Sequence, residues 1–136
     1  MSMQVTIVTP EGEVFRDRAL EVTLPGTEGE FGVLPGHVRF LSSLDVGEVR
    51  IRTQDHTLYA AISGGFVEVS GDEVVVLADT CELADQIDVA RAERAKQRAE
   101  RELAALKSAE ADAARFKIHQ GAVSRAVTRI AVAGRR

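Results

Sequence analysis

The chain has no tryptophan, one tyrosine and one cysteine, and aromatic residues fill only 4% of its 136 positions. With Cys81 alone, no internal disulfide can form, and a reducing compartment is expected. His37, His56, His119 and Cys81 are scattered, without the C-x-x-C or H-x-x-x-H spacing of a metal site. No G-x-x-x-x-G-K-[ST] loop is present, so a P-loop nucleotide enzyme is excluded. Ser63-Gly64-Gly65 lacks a glycine two places before the serine, where Ala61 stands, so it reads as a turn and not as a nucleophile elbow. No apolar run approaches the ~18–20 residues of a membrane span. The start, Met-Ser-Met-Gln-Val-Thr, lacks the basic and apolar segments of a signal peptide. A cytoplasmic, non-enzymatic protein is the expectation. Proline is also missing from the whole second part, all three prolines lying at or before Pro35.

What is present divides near residue 84. Up to Ala84 there are five basic and fourteen acidic residues, a net of −9; from Asp85 onward there are twelve basic and seven acidic, a net of +5. Two such parts attract each other, or the basic part serves an acidic partner. The expected units are therefore residues 1–84 and 85–136. In the first, alternating segments at Met3–Val8, Ala19–Leu24, Arg39–Leu44, Glu48–Arg52, His56–Ile62, Gly65–Val69 and Glu73–Leu77 predict short strands. Thr9-Pro10-Glu11-Gly12, Gly47, Gly64-Gly65 and Gly71-Asp72 read as the turns between them. Strands at this spacing make a small β-sandwich or barrel. Between Leu24 and His37, four glycines and two prolines dictate the backbone path, and His37 is either an interface residue or a loop residue with a local hydrogen bond.

The second unit predicts an antiparallel helical hairpin. Asp88 is placed to cap the first helix, whose stripe is Ala92, Ala95, Ala99, Leu103 and Leu106. A break is expected at Lys107-Ser108-Ala109, with Ser108 capping a second helix that carries Phe116, Val123, Val127 and Ile130 on one side. Alanine contacts contribute little each, and Gly121 inside a helix costs about 1 kcal/mol relative to alanine. The hairpin is thus either a detachable appendage or a permanently docked one.

Arg91, Arg94, Arg98 and Arg101 lie along one side of the first helix, and Arg125 and Arg129 share a face of the second. Guanidinium forks suit phosphate oxygens, and a triphosphate could satisfy several. Glu82 and Asp88 could accept from a ribose hydroxyl or an adenine amino group, with Ile87 against the ring. The same spacing equally describes a solvated face neutralised by Glu93, Glu100 and Glu102.

Leu24-Pro-Gly-Thr-Glu-Gly-Glu-Phe-Gly-Val-Leu-Pro-Gly-His37 resembles the signature loop of the ε subunits of bacterial F-type ATP synthases, and Ile62-Ser-Gly-Gly-Phe-Val-Glu-Val69 is similar to that family's second recurrent segment. The resemblance covers essentially the whole chain. It implies a ten-stranded sandwich bound to the γ subunit and the c-ring, followed by a hairpin that alternates between a compact state and one extended into the α/β catalytic head, where it blocks hydrolysis. Ile87-Asp88-Val89-Ala90-Arg91-Ala92 matches the family's ATP-sensing motif in full. The resemblance thereby implies an ATP site of Glu82, Ile87, Asp88, Arg91, Ala92, Arg98, Arg125 and Arg129, with ATP as regulatory ligand, with or without Mg²⁺, and no catalytic or metal residues. It further implies a peripheral subunit on the cytoplasmic face of the inner membrane, with no span of its own. The rival readings are a purely structural coupler and a nucleic-acid arm; the second is disfavoured because Phe116 is the basic segment's only aromatic residue.

Overall fold

The computed structural model describes residues 1–108 and 113–135. Eight strands come first: β1 Met3–Thr9, β2 Gly12–Ala19, β3 Glu21–Gly26, β4 Gly29–Val33, β5 His37–Arg52, β6 Thr57–Gly71, β7 Glu73–Ala78 and β8 Cys81–Leu83. A single 3-10 turn at Ala84–Gln86 leads into α1 (Val89–Ser108), and α2 spans Ala113–Ala133. The sheet order is β2-β1-β7-β6-β5-β3-β4, with β8 added to β6. Alternation supplies its inner face: Val5 and Ile7, Val22 and Leu24, Val49 and Ile51, Val67 and Val69, and Val74 and Val76 are all fully buried. They belong to one cluster, which joins β1 and β7 to β3 and β5 across the sheet path. The sheet therefore folds over on itself as a sandwich. Each of these side chains contributes about 1.5–3 kcal/mol by burial.

The strand count is eight where ten was implied, because two expected turns are not turns. Gly47 lies inside β5, and Gly64-Gly65 lie inside β6. A Cβ at Gly47 would approach Pro25 Cβ to 2.6 Å, so the glycine makes room for the Pro25 ring on the neighbouring strand β3, where the pairing is irregular. Gly64 and Gly65 have φ of 112° and 143°. At this point β6 exchanges one partner for another: residues 60–62 pair with β8, and residues 65–70 pair with β7. Gly71-Asp72 and Pro10-Glu11 do turn the chain, as their composition predicts.

In the hairpin, Asp88 is the cap expected of it. Its Oδ1 accepts the Arg91 N–H at 3.0 Å, and its carbonyl accepts from Ala92. Replacing Asp88 by alanine should cost roughly 1 kcal/mol, seen as an earlier thermal loss of helical signal. Ala92 and Ala99 are buried against α2, as the alanine stripe predicts. His119 Nδ1 of α2 lies 2.6 Å from Glu102 Oε2 of α1, a further tie between the helices. The expected face of α2 needs correction: Ala126, Val132 and Ala133 are its buried residues, whereas Val127 is exposed. Having two partners, α1 on one side and the sandwich on the other, α2 spreads its contacts over more than one stripe. Lys107 and Ser108 belong to α1; Ala109 and the rest of the connection, with the side chains of His37 and Phe116, lie outside the described residues. Ser108 therefore does not stand at the start of α2. No described helix is long and apolar enough to cross a membrane.

Candidate nucleotide cleft between hairpin and sandwich

A small apolar contact docks the hairpin. Ala61 of β6, Ala84 and Ile87 meet Val132 and Ala133 of α2, with Tyr59 at the edge. Ala61 lies between Ala60 and Ile62, which point into the sandwich core, so this part of β6 is buried on both faces. Beside the contact opens a cleft of about 510 Å³. Arg91 of α1 with Arg125 and Arg129 of α2 form one wall; Ala61, Ile62, Ser63, Thr80, Glu82 and Glu11 form the other.

The two walls already touch at one point. Arg129 Nε stands 2.6 Å from Glu82 Oε1, but off the direction of its N–H, and the directed hydrogen bond is the one Nη2 donates to Oε2 at 3.2 Å. The buried Nε–H is left without an aligned acceptor. Arg91 and Arg125 have no ion-pair partner among the described residues. Arg125 folds back along its helix, reaching 3.3 Å from where a Cβ on Gly121 would stand. Gly121, costly to the helix, thus leaves room for a cleft arginine.

Four of the eight residues expected at the site meet here: Glu82, Arg91, Arg125 and Arg129. Ile87 is 2% exposed and packs in the docking contact, and Asp88 is engaged as the helix cap. Ala92 is buried between the helices. Arg98 does not border the cleft, since seven residues carry it about 10 Å further along α1. Glu11 and Ser63 read in the sequence only as parts of turns, and Thr80 gave no signal. Folding unites them: Thr80 Oγ1 donates to Ser63 Oγ at 2.7 Å, and the Ser63 N–H donates to the Thr80 carbonyl at 3.3 Å.

Cys81, next to the cleft's Glu82, has its thiol pushed up from 9.0 to about 11, first by burial and then by the Glu82 charge. The fold favours the neutral thiol. Its contribution to stability is therefore complete below about pH 9 and is lost as the pH rises through about 11. Slow alkylation of the native chain at neutral pH is expected. Cys81→Ala should flatten the fall in unfolding free energy across that alkaline window. Among the described residues no cluster of His, Cys, Asp or Glu could hold a metal ion.

Residues 2–84 match the family model described as ATP synthase, Delta/Epsilon chain, beta-sandwich domain, and residues 85–134 match its long alpha-helix domain. The chain is 47% identical to the ATP synthase epsilon chain of Syntrophobacter fumaroxidans, over 96% of this chain and 95% of the relative. It is 45% identical to that of Desulforamulus reducens over 97% of each. In fold it is similar to a chain in the Euglena gracilis mitochondrial ATP synthase, OSCP/F1/c-ring, with a TM-score of 0.76 at 20% identity, covering 99% of this chain and 82% of that one. Matched over both of its parts and end to end with relatives above 40% identity, the chain belongs to the ATP synthase epsilon-chain family, whose members are a non-catalytic subunit of that complex.

Proposed function

We propose that this chain is a central-stalk subunit of the proton-translocating F-type ATP synthase, joining the γ subunit to the c-ring at the cytoplasmic face of the membrane. In this reading the hairpin is a regulatory arm. Docked, it leaves rotation free; extended, it enters the α/β head and blocks hydrolysis. ATP in the cleft favours the docked state.

One observation carries the ligand: Arg91 and Arg125, from different helices, face one cleft with no ion-pair partner among the described residues. Two unneutralised guanidinium groups brought together call for an anion between them, and a triphosphate reaches both. The cleft's two walls come from hairpin and sandwich, so an occupant bound to both stabilises only the docked state. At 100 times its dissociation constant a ligand adds about 2.7 kcal/mol to the state it binds, enough to move a nearly balanced equilibrium. Mg²⁺ could accompany the triphosphate, with Glu11 as a nearby carboxylate.

Calorimetric titration with ATP tests this. Saturable one-to-one binding is expected, weakened roughly tenfold or more by Arg125→Ala, which removes a charge-assisted contact, and lost in Asp88→Ala/Arg91→Ala. Absence of binding at millimolar ATP would sink the sensor.

A purely structural coupler is the second reading. It is favoured by the Glu82–Arg129 pair, in which the cleft partly satisfies itself without a ligand. Removing the chain beyond Ile87 separates the two. A coupler leaves hydrolysis by the assembled complex unchanged, whereas an inhibitory arm raises it.

A further inference from the structure

Strand register sets three residues abreast on the outer face of the sheet. Glu48 of β5 pairs with Ala61 of β6, and Ala61 pairs with Glu82 of β8. The row is a small seat between two carboxylates. The end of α2 carries the complement. Val132 and Ala133 pack with the seat; Arg129, before them, reaches Glu82, and Arg135, after them, places Nε 3.2 Å from Glu48 Oε2. The same Arg135 guanidinium lies 5.2 Å from the centroid of the Tyr59 ring, which shares the outer face two residues from Ala61. Its position is fixed by the helix end, where the Gly134 N–H donates to the Ile130 carbonyl at 3.3 Å and the Arg135 N–H to that of Val132 at 2.9 Å.

The two clips differ in one respect. Arg129–Glu82 borders the cleft, so an anion bound there competes with Glu82 for Arg129. Arg135, Glu48 and Tyr59 do not border it. We infer that Glu48, Tyr59 and Arg135 form a latch that holds the hairpin on the sandwich independently of any ligand in the cleft. This inference rests on the mobile hairpin proposed above. The latch sets the resting balance between docked and free hairpin, and a ligand adds to that balance.

Glu48 is suited to a contact that opens and closes. Its Oε1 lies 3.6 Å from Arg50 Nη2, so the carboxylate keeps a partner after Arg135 leaves. Arg50 in turn lies 4.0 Å from Glu30. Opening therefore strands no buried charge on the sandwich, the condition that makes most broken ion pairs expensive.

Tyr59 is the only tyrosine, so growth on 3-fluorotyrosine labels the latch in the full chain without a substitution. The fluorine spectrum then reports docked and undocked populations. Glu48→Gln is expected to raise the undocked population roughly two- to fivefold, the range for a partly exposed ion pair. Arg135→Gln, which also removes the contact with the ring, should raise it roughly three- to tenfold. The double variant should add nothing beyond Arg135→Gln, and about 1 M salt should shift the unsubstituted chain more than the double variant, in which Arg129–Glu82 is the ion pair left across the contact. Val132→Asp, which spoils the seat, is the reference. If it frees the hairpin while Glu48→Gln and Arg135→Gln leave the populations unchanged, the latch is overturned and the mobile hairpin stands. Should none of the three produce a second population, the mobile hairpin fails and the latch fails with it.

Discussion

Gly65→Ala is expected to destabilise the sandwich by about 3–5 kcal/mol, combining a positive-φ backbone with an overpacked contact. Gly65 has φ of 143°, a conformation that residues with a Cβ rarely adopt. An added Cβ would stand 2.0 Å from the Leu77 carbonyl oxygen and 2.9 Å from Ala78 Cα. Neither obstacle is a flexible side chain. Relief requires parting β6 from β7 at the point where β6 has just left β8, and Val67, Val69, Val74 and Val76 of the core lie directly beyond. Urea unfolding followed by far-UV circular dichroism measures the effect. Gly32→Ala is the control, because nothing lies within 4 Å of its added Cβ and its φ is not positive. Equal midpoints for the two variants would refute the close approach at Gly65.

Val132→Asp should release the hairpin while leaving the sandwich folded. Val132 is 1% exposed and packs with Ala61, Ala84, Ile87 and Ala133. A carboxylate placed there has no cation reserved for it, since Arg129 and Arg135 are held by Glu82 and Glu48. Leaving a charge buried and unpaired costs about 3–5 kcal/mol. The apolar contact it must overcome is small, two of its five buried side chains being larger than alanine together with one on each side of the interface. Undocking is therefore expected to win over burial of the charge. Tryptic cleavage at Arg91, Arg125 and Arg129 should accelerate at least tenfold, while the unfolding midpoint of the strand signal stays within error. The ATP affinity proposed for the cleft should fall with docking, because the cleft loses one of its walls. Retained binding at unchanged affinity would mean that the hairpin alone holds the nucleotide.

The pattern of strands and helices was legible because it rests on local periodicity. Val5 and Ile7 alternate as a half-buried strand does, and Asp88 stands where a helix needs an acceptor. The signature run Leu24–His37 was legible in another way, as a likeness to a family, and the relatives at 47% and 45% identity bear the likeness out. Gly47 and Gly64-Gly65 misled, because composition does not distinguish a glycine that turns the chain from one that lets a neighbouring strand come near. The apolar stripe of α2 misled for a related reason. Hydropathy favours Val127 over Ala126, yet the rotation of the docked helix buries Ala126 and leaves Val127 exposed.

By itself the sequence determined the order of the elements, the two charge-opposed parts, the capped start of α1 and the family. Helical spacing also determined that Arg91 and Arg98 lie along one side of α1, and Arg125 and Arg129 along one side of α2. Which of them meet was decided by tertiary structure, because spacing within a helix fixes neither its rotation nor its offset against a partner. Docking brings Arg91, Arg125 and Arg129 to one cleft and leaves Arg98 about two turns away. The same holds for Glu48, Ala61 and Glu82, which are far apart in the chain and adjacent only through strand register. Ala61 carries no local signal of its task. It is an alanine with strand neighbours on either side, and the end of α2 makes it a seat.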